Sequence, residues 1–560
     1  MTEYNPENPL IVQGDHTVLM EVDGPRYAAA RDALVRFAEL VKSPEHVHTY
    51  RITALSIWNA CAAGVTVDEI AATLHRYSKY EVPAHVLVEV RDFAARYGRL
   101  RLTREASGLV LTASDSALAE EISRNRHVAP LLVKRLSSVE FRIAPADRGR
   151  LKQALVKVGF PVSDLAGYRL GDPLPVRLRA TTLAGGPFAL RNYQRNAADI
   201  FHAGGAASGG SGVIVLPCGA GKTIVGMACM AAVASSTLIL TTNVTATRQW
   251  VAELLDKTLL HADQIGEYNG TTKDIRPVTV ATYNILTWRK RRDTEFVHLG
   301  LFDAQNWGLI IYDEVHLLPA PVFQVTASLQ ARRRLGLTAT LVREDGREDD
   351  VFALIGPKKA DVPWKILERQ GWIAAAACTE VRMRLPEDMR MPYAVADARQ
   401  KFRVASENPR KFDAVREILA EHPYEAILII GMYVEQIKQI AAELEVPVIT
   451  GTTAQKRRDE LYRRFKEGEL RVLAVSKVAN FAVDLPDASV AIQISGTFGS
   501  RQEEAQRLGR ILRPKPGHNQ AHFYTLVSRD TVEQDFALKR QLFLCEQGYA
   551  YEIRDLTPTE

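Results

Sequence analysis

Residues 216–223 read Leu-Pro-Cys-Gly-Ala-Gly-Lys-Thr and follow the apolar run Gly212-Val213-Ile214-Val215. A buried strand, a glycine-rich turn, then a lysine and a hydroxyl opening a helix make a cradle for phosphate. Gly219 and Gly221 let backbone N–H groups close around phosphate oxygens, with Pro217, Cys218 and Ala220 completing the turn. Lys222 would reach the outer phosphates, and the Thr223 hydroxyl would bind Mg²⁺. The strict G-x-x-x-x-G-K-[ST] pattern is not met, because Leu216 stands where its first glycine belongs. The residues that do the chemistry are present, and alone they imply only a nucleoside triphosphate site.

A second constellation is Leu309-Ile310-Ile311-Tyr312-Asp313-Glu314-Val315-His316. An apolar strand ending in two acids puts carboxylates at the C-terminal edge of a sheet, beside a phosphate loop. Asp313 would hold Mg²⁺; Glu314 would orient and deprotonate an attacking water. Further on, Arg510 and Arg513 are three residues apart and share a helix face. An arginine pair facing a neighbouring lobe suits stabilisation of a γ-phosphate in its transition state.

These residues need elements to position them. Short apolar runs at 213–216, 238–241, 278–281, 309–312 and 335–337 alternate with helical segments, as in a parallel sheet with covering helices. A polar interval, about 357–410, follows. The pattern then restarts at 426–430, 446–449, 472–475, 490–494 and 521–526. The fold class expected is α/β, with two tandem RecA-like parallel-sheet lobes at 186–357 and 358–560, and only the first carries a phosphate loop. Upstream, 54–63, 66–77 (with Thr66 as N-cap) and 83–97 have helical spacing, and 99–103 and 108–112 alternate like a hairpin. Three helices and a hairpin predict a winged-helix-like domain over 1–112, a type of module that binds DNA or docks on proteins. A small mixed α/β module is expected over 113–185, with a strand at 139–143, a helix at 146–158 and a Gly/Pro linker at 182–187.

Lys+Arg 71 against Asp+Glu 66 leaves the chain mildly basic, at +5, which allows a polyanionic partner without demanding one. Cys61, Cys218, Cys229, Cys378 and Cys545 are scattered, with no C-x-x-C, so no disulfide framework, zinc site or iron–sulfur cluster is expected and the compartment is a reducing one. Residues 1–14 carry no signal pattern, and the uncharged stretch 223–247 reads as a buried helix followed by a central strand, not a membrane span.

Thr282 and Thr450-Gly451 end strands in the two lobes. From the same edge of each they could hold successive phosphates of a nucleic-acid strand. The basic clusters 289–292, 332–334 and 456–458 read as solvated loops more readily than as nucleic-acid contacts, and Trp288 as core more readily than as a base-stacking ring.

Leu190-Arg191-Asn192-Tyr193-Gln194, Asp313-Glu314-Val315-His316, Leu337-Thr338-Ala339-Thr340 and the 506–513 segment resemble superfamily 2 nucleic-acid helicases. Closer still, residues 212–222, Gly336-Leu337-Thr338-Ala339-Thr340-Leu341-Val342-Arg343-Glu344-Asp345 and Glu504-Ala505-Gln506-Arg507-Leu508-Gly509-Arg510-Ile511-Leu512-Arg513 are similar to the XPB-type branch, in its compact prokaryotic form. The resemblance covers about 135–530. It implies an ATP- and Mg²⁺-dependent DNA helicase moving 3′→5′ on forked or 3′-tailed duplex, cytoplasmic and nucleoid-associated, without a membrane, and active in repair; its protein partners stay open. The alternatives are a double-strand translocase and an ATP-gated DNA-binding switch.

By the same resemblance Arg191 and Gln194 are adenine-side contacts, and His316, Thr338 and Thr340 couple the nucleotide to lobe closure. Arg343, Glu344 and Asp345 are implicated in unwinding. Gln506 joins the arginine pair, and Asp484 the nucleotide site. The interval about 360–405 matches a DNA-gripping thumb whose Arg382, Arg384, Arg390, Arg399 and Arg403 could pair phosphates, and 113–185 a damage-recognition module. Where the family reads Ser-Lys-Val-Gly-Asp, this chain has Ser476-Lys477-Val478-Ala479-Asn480.

Overall fold

The computed structural model describes residues 4–42, 46–106, 108–206, 209–217, 219–289, 297–329, 332–339, 348–362, 367–368, 370–372, 374–476, 488–495, 520–546 and 550–556. They form four sheets. In the first large sheet the strands are β10 (Ser211–Val215), β11 (Thr237–Thr241), β12 (Ile265–Tyr268), β13 (Val278–Thr282), β14 (Leu309–Asp313), β15 (Arg333–Thr338) and β16 (Lys358–Asp361). They pair in parallel in the order β12-β13-β11-β14-β15-β10-β16. β10, β11 and β13 are buried along their whole length, which is why each carries a short apolar run, with the buried Thr279 hydroxyl of β13 bonded to the Arg276 carbonyl. The second sheet holds β17 (Ala375–Met383), β18 (Ile427–Gly431), β19 (Val448–Ile449), β20 (Val472–Ser476), β21 (Val490–Gln493), β22 (Gln520–Ser528) and β23 (Ala550–Asp555), again parallel, in the order β19-β20-β18-β21-β22-β17-β23. The two α/β lobes are present as expected.

The uncharged stretch 223–247 resolves into the helix Lys222–Val233, β11 and the start of the helix Val244–Lys257. Among the described residues no helix is long and apolar enough to cross a membrane.

Three sequence boundaries move. β16 lies beyond 357 yet pairs with β10, so the first sheet extends past the expected limit of that lobe. β17 falls inside the polar interval about 360–405, but it is an interior strand between β22 and β23. Its run of Ala, Thr, Glu and Arg lacks the β-branched enrichment of a strand. It is held there because buried Glu380 binds both Arg382 and the Tyr551 hydroxyl. Of that interval, the helices Glu387–Val395 and Ala398–Ser406 remain outside the sheet.

The third correction concerns the N-terminus. The three predicted helices form, at Ala54–Ala62, Val67–Tyr77 and Ala84–Arg96, and Thr66 caps the second through a reciprocal bond with Glu69. Their sheet is not the expected hairpin but an antiparallel one of β1 (Leu10–Val12), β2 (Thr17–Glu21), β3 (Glu39–Lys42) and β4 (Val47–Arg51), ordered β1-β2-β4-β3. The hairpin strands, Leu100–Glu105 and Gly108–Ala113, pair instead with Val162–Asp164 and Glu140–Ile143. A boundary at 112 therefore cuts a five-stranded sheet, and a winged-helix-like grouping of 1–112 does not describe the structure.

That five-stranded unit is fixed to the first lobe through the helix Arg148–Val158. Arg148 makes a two-pronged ion pair with Asp164, which Lys152 also approaches at 3.2 Å. Arg148, Arg333 and Arg334 surround the Tyr168 ring. Arg334, fully buried, donates to the carbonyl of Leu354 at 2.7 Å and to the Ser211 hydroxyl at 3.1 Å. The 332–334 cluster is thus largely internal, neither a solvated loop nor a nucleic-acid contact.

Gly149 lets the same helix touch the helix Ala320–Ser328: a Cβ there would stand 2.4 Å from the Ala327 carbonyl oxygen. Gly149→Ala is expected to destabilise the protein by about 2 kcal/mol through this backbone clash, read as a lowered first thermal transition.

Candidate active site

The phosphate loop runs from the end of β10 into the helix Lys222–Val233. Gly219 and Gly221 have φ of 81° and 79°, the left-handed region that side chains disfavour. At Gly221 a Cβ would also stand 2.7 Å from Gln194 Nε2, so the position is closed to larger residues twice over. Gln194, buried, donates from Nε2 to the Ala220 carbonyl at 3.1 Å, and the Tyr193 hydroxyl donates to the same oxygen at 2.7 Å. Arg191 Nη1 donates to the Tyr193 hydroxyl at 3.2 Å. The Arg-Asn-Tyr-Gln segment thus grips the phosphate loop directly, through a tyrosine that sequence reasoning passed over.

β14 lies two strands from β10 in the sheet, across β15, and delivers Asp313 and Glu314 to the loop's edge. Lys222 Nζ is ion-paired with Glu314 Oε1. Glu314 adopts φ 49° and ψ 56°, an unusual backbone for a non-glycine residue and one that recurs at functional sites. Burial opposes the charge on Glu314, but Lys222 first and His316 next outweigh it and hold the carboxyl below its ordinary range. Asp313 differs: burial, then the adjacent Glu314 charge, push its carboxyl up to about 6 against the pull of Lys222. Its Oδ2 accepts from Trp250 Nε1 at 2.9 Å, and its backbone carbonyl accepts from the Tyr283 hydroxyl at 2.9 Å. A buried carboxyl driven toward its neutral form regains charge beside a divalent cation, and the oxygen donors of Asp313 suit Mg²⁺.

His316 Nδ1 meets the Thr338 hydroxyl at 2.8 Å, tying the segment after β14 to the end of β15. The structure therefore brings Lys222, Asp313, Glu314, His316, Thr338, Gln194 and, through Tyr193, Arg191 into one contiguous set. Other expected residues are spent elsewhere. Thr282 is buried, and its hydroxyl caps the next helical turn. Thr450 is buried with its hydroxyl among Thr452 and Thr453, and Arg458 binds the carbonyls of Thr450 and Gly451. Arg382 is ion-paired with Glu380 at 2.6 Å, while Arg384 is exposed. Cys218, Thr340, Arg343, Glu344, Asp345, Asp484, Gln506, Arg510 and Arg513 lie outside the described residues.

Family models match along the chain: a helicase conserved C-terminal domain over 10–137, a type III restriction enzyme res subunit over 187–343, and an ERCC3/RAD25/XPB C-terminal helicase over 367–558. The chain is 55% identical over 98% of its length to the DNA 3′-5′ helicase XPB of Kineococcus radiotolerans, of which 97% is covered. The chain belongs to the XPB helicase family. It is also 31% identical, over 99% of its length and 93% of the relative's, to the general transcription and DNA repair factor IIH helicase/translocase subunit XPB of Enterocytozoon bieneusi. In fold alone it is similar to an ATP-dependent type ISP restriction-modification enzyme, LlaBIII, bound to DNA: TM-score 0.51, 11% identity, 67% of this chain and 32% of that one.

Within this XPB-family site, Trp250 is the residue the sequence did not announce. Its ring packs where Gly226 leaves room, since a Cβ at Gly226 would stand 2.5 Å from the indole. A single Trp on a helix reads as core, and only the sheet order reveals that its N–H reaches Asp313. Trp250→Phe keeps an aromatic ring but removes that donor. The expected outcome is a roughly tenfold higher Mg²⁺ concentration for half-maximal ATP hydrolysis, measured by metal titration on protein with an unchanged melting profile.

Proposed function

We propose that this protein is an ATP-dependent DNA helicase that moves 3′→5′ and couples hydrolysis at the first lobe to translocation and unwinding. The observation that carries the reading is the Lys222–Glu314 pair at the phosphate loop, with Asp313 beside it and His316 tied to Thr338.

Lys222 and Glu314 neutralise one another. A triphosphate offers Lys222 a richer set of oxygens, so its arrival releases Glu314. The freed carboxylate then stands at the sheet edge where a water attacking the γ-phosphate would lie, and accepts its proton. Mg²⁺, held by Thr223 and Asp313, supplies charge neutralisation on the phosphates when bound. Arg191 and Gln194 flank the adenine, and Pro217, Cys218, Gly219, Ala220 and Gly221 wrap the phosphates, with Asp484 contributing from the second lobe. Gln506, Arg510 and Arg513 complete the site from that lobe, so hydrolysis requires closure. Release of Glu314 also frees His316 from a carboxylate 3.6 Å away. Through Thr338 that change reaches the end of β15, where Thr340, Arg343, Glu344 and Asp345 follow in sequence and act on DNA. Arg384, exposed at the end of β17, pairs with phosphates of the strand. A DNA substrate suits a cytoplasmic, nucleoid-associated enzyme, and repair is the pathway in keeping with its similarity to a subunit of a transcription and DNA repair factor.

Wild-type protein is expected to hydrolyse ATP at least tenfold faster with forked DNA than without, and to displace a strand from a 3′-tailed duplex; Lys222→Ala should do neither. Hydrolysis indifferent to DNA would sink the motor reading, and triplex displacement without strand separation would favour a double-strand translocase. Glu314→Gln removes the proton acceptor and the anion that competes for Lys222. Its kcat should fall about 10²-fold or more while its affinity for ATP is equal to or tighter than wild type, measured by nucleotide titration.

A further inference from the structure

The segment 362–374 connects β16 in the first sheet to β17 in the second. It begins on the phosphate-loop strand, where the Val362 N–H donates to the Val215 carbonyl at 3.1 Å. Leu367 is fully buried in the core cluster that also holds Leu216 and Ala220. Trp372 then folds back: its N–H donates to the Leu367 carbonyl at 2.9 Å, and its indole N–H to Gln370 Oε1 at 3.1 Å.

The Trp372 ring lies against Arg191, with the guanidinium carbon 4.2 Å from the ring centroid. That is a close cation–π contact, and 38% of the tryptophan stays accessible. From Arg191 the contacts continue to the Tyr193 hydroxyl at 3.2 Å and to the Ala220 carbonyl of the phosphate loop at 2.7 Å. A continuous chain of four residues therefore joins the phosphate loop to the segment between the lobes, and it passes through the side chain assigned to the adenine.

An exposed tryptophan covering a surface arginine would serve stability alone. Two features point further. The arginine it covers is the one assigned to the adenine side, and the tryptophan belongs to the stretch of chain that joins the two large sheets. A planar guanidinium clamped by an indole is held at a fixed orientation, and a purine stacks on such a plane better than on a freely rotating side chain.

We infer that Trp372 is a positioning and specificity-determining residue for the nucleotide base: it fixes Arg191 as the wall on which a purine stacks, and it carries base occupancy to the segment joining the lobes. This rests on the reading that Arg191 flanks the adenine.

The test uses the full-length protein with forked DNA. Trp372→Ala should raise KM for ATP about fivefold, with a smaller effect on kcat, and bring kcat/KM for ATP toward that for UTP. Trp372→Phe, which keeps an aromatic face, should restore KM to within about twofold. ADP should change intrinsic tryptophan fluorescence in wild type and much less in Trp372→Phe, whereas pyrophosphate, which has no base, should not.

A KM for ATP unchanged in Trp372→Ala, or raised equally for ATP and UTP, overturns the inference. If Arg191→Ala raises KM for ATP while Trp372→Ala does not, the adenine-side reading stands and only the role of Trp372 falls. If neither substitution moves KM while Lys222→Ala still abolishes hydrolysis, the adenine-side reading has failed as well.

Discussion

Two adjacent carboxyl groups at the end of a buried strand cannot both stay charged without cations beside them. Asp313 and Glu314 are in that position, and the surroundings divide them. Lys222, with His316, holds Glu314 in its charged form, and burial pushes Asp313 toward its neutral one. The two acids are thus balanced by an internal ion pair, and any ligand that takes Lys222 must also settle their charge. Triphosphate and divalent metal arriving together do so at once. The parallel sheet is what makes this arrangement available, since β14, β15 and β10 lie side by side and bring their C-terminal ends to one edge.

The same edge explains how a local change of charge becomes a movement. Glu314 holds a backbone conformation that needs support from its surroundings, and its neighbour His316 is bonded to Thr338 on the adjacent strand. On the opposite side of the phosphate loop, Gln194 and Tyr193 share the Ala220 carbonyl, so the loop is held by the helix that precedes it in sequence as well as by the strand that leads into it.

The apolar strands were legible because parallel strands covered on both faces read as unbroken Val/Ile/Leu runs, and the phosphate loop and the Asp313-Glu314 pair because their chemistry demands particular residues in order. β17 was not legible: an interior strand of Ala, Thr, Glu and Arg is held by its ladders with β22 and β23 and by the bond from the Tyr551 hydroxyl to buried Glu380, all of which are long-range. The wing-like hairpin was found as a hairpin but given to the wrong sheet, since alternation fixes a strand's faces and says nothing of its partners. Trp250 and Tyr193 were missed for a related reason. Each looks like a core aromatic in one dimension, and each uses one polar atom on a group brought close only by folding.

The buried cluster of Arg148, Lys152, Asp164, Arg334 and Tyr168 has a mechanical meaning. Oppositely charged groups paired between two bodies resist sliding, because any shear would strip ions of their partners. The five-stranded unit must then ride with the nucleotide-binding lobe as a single piece.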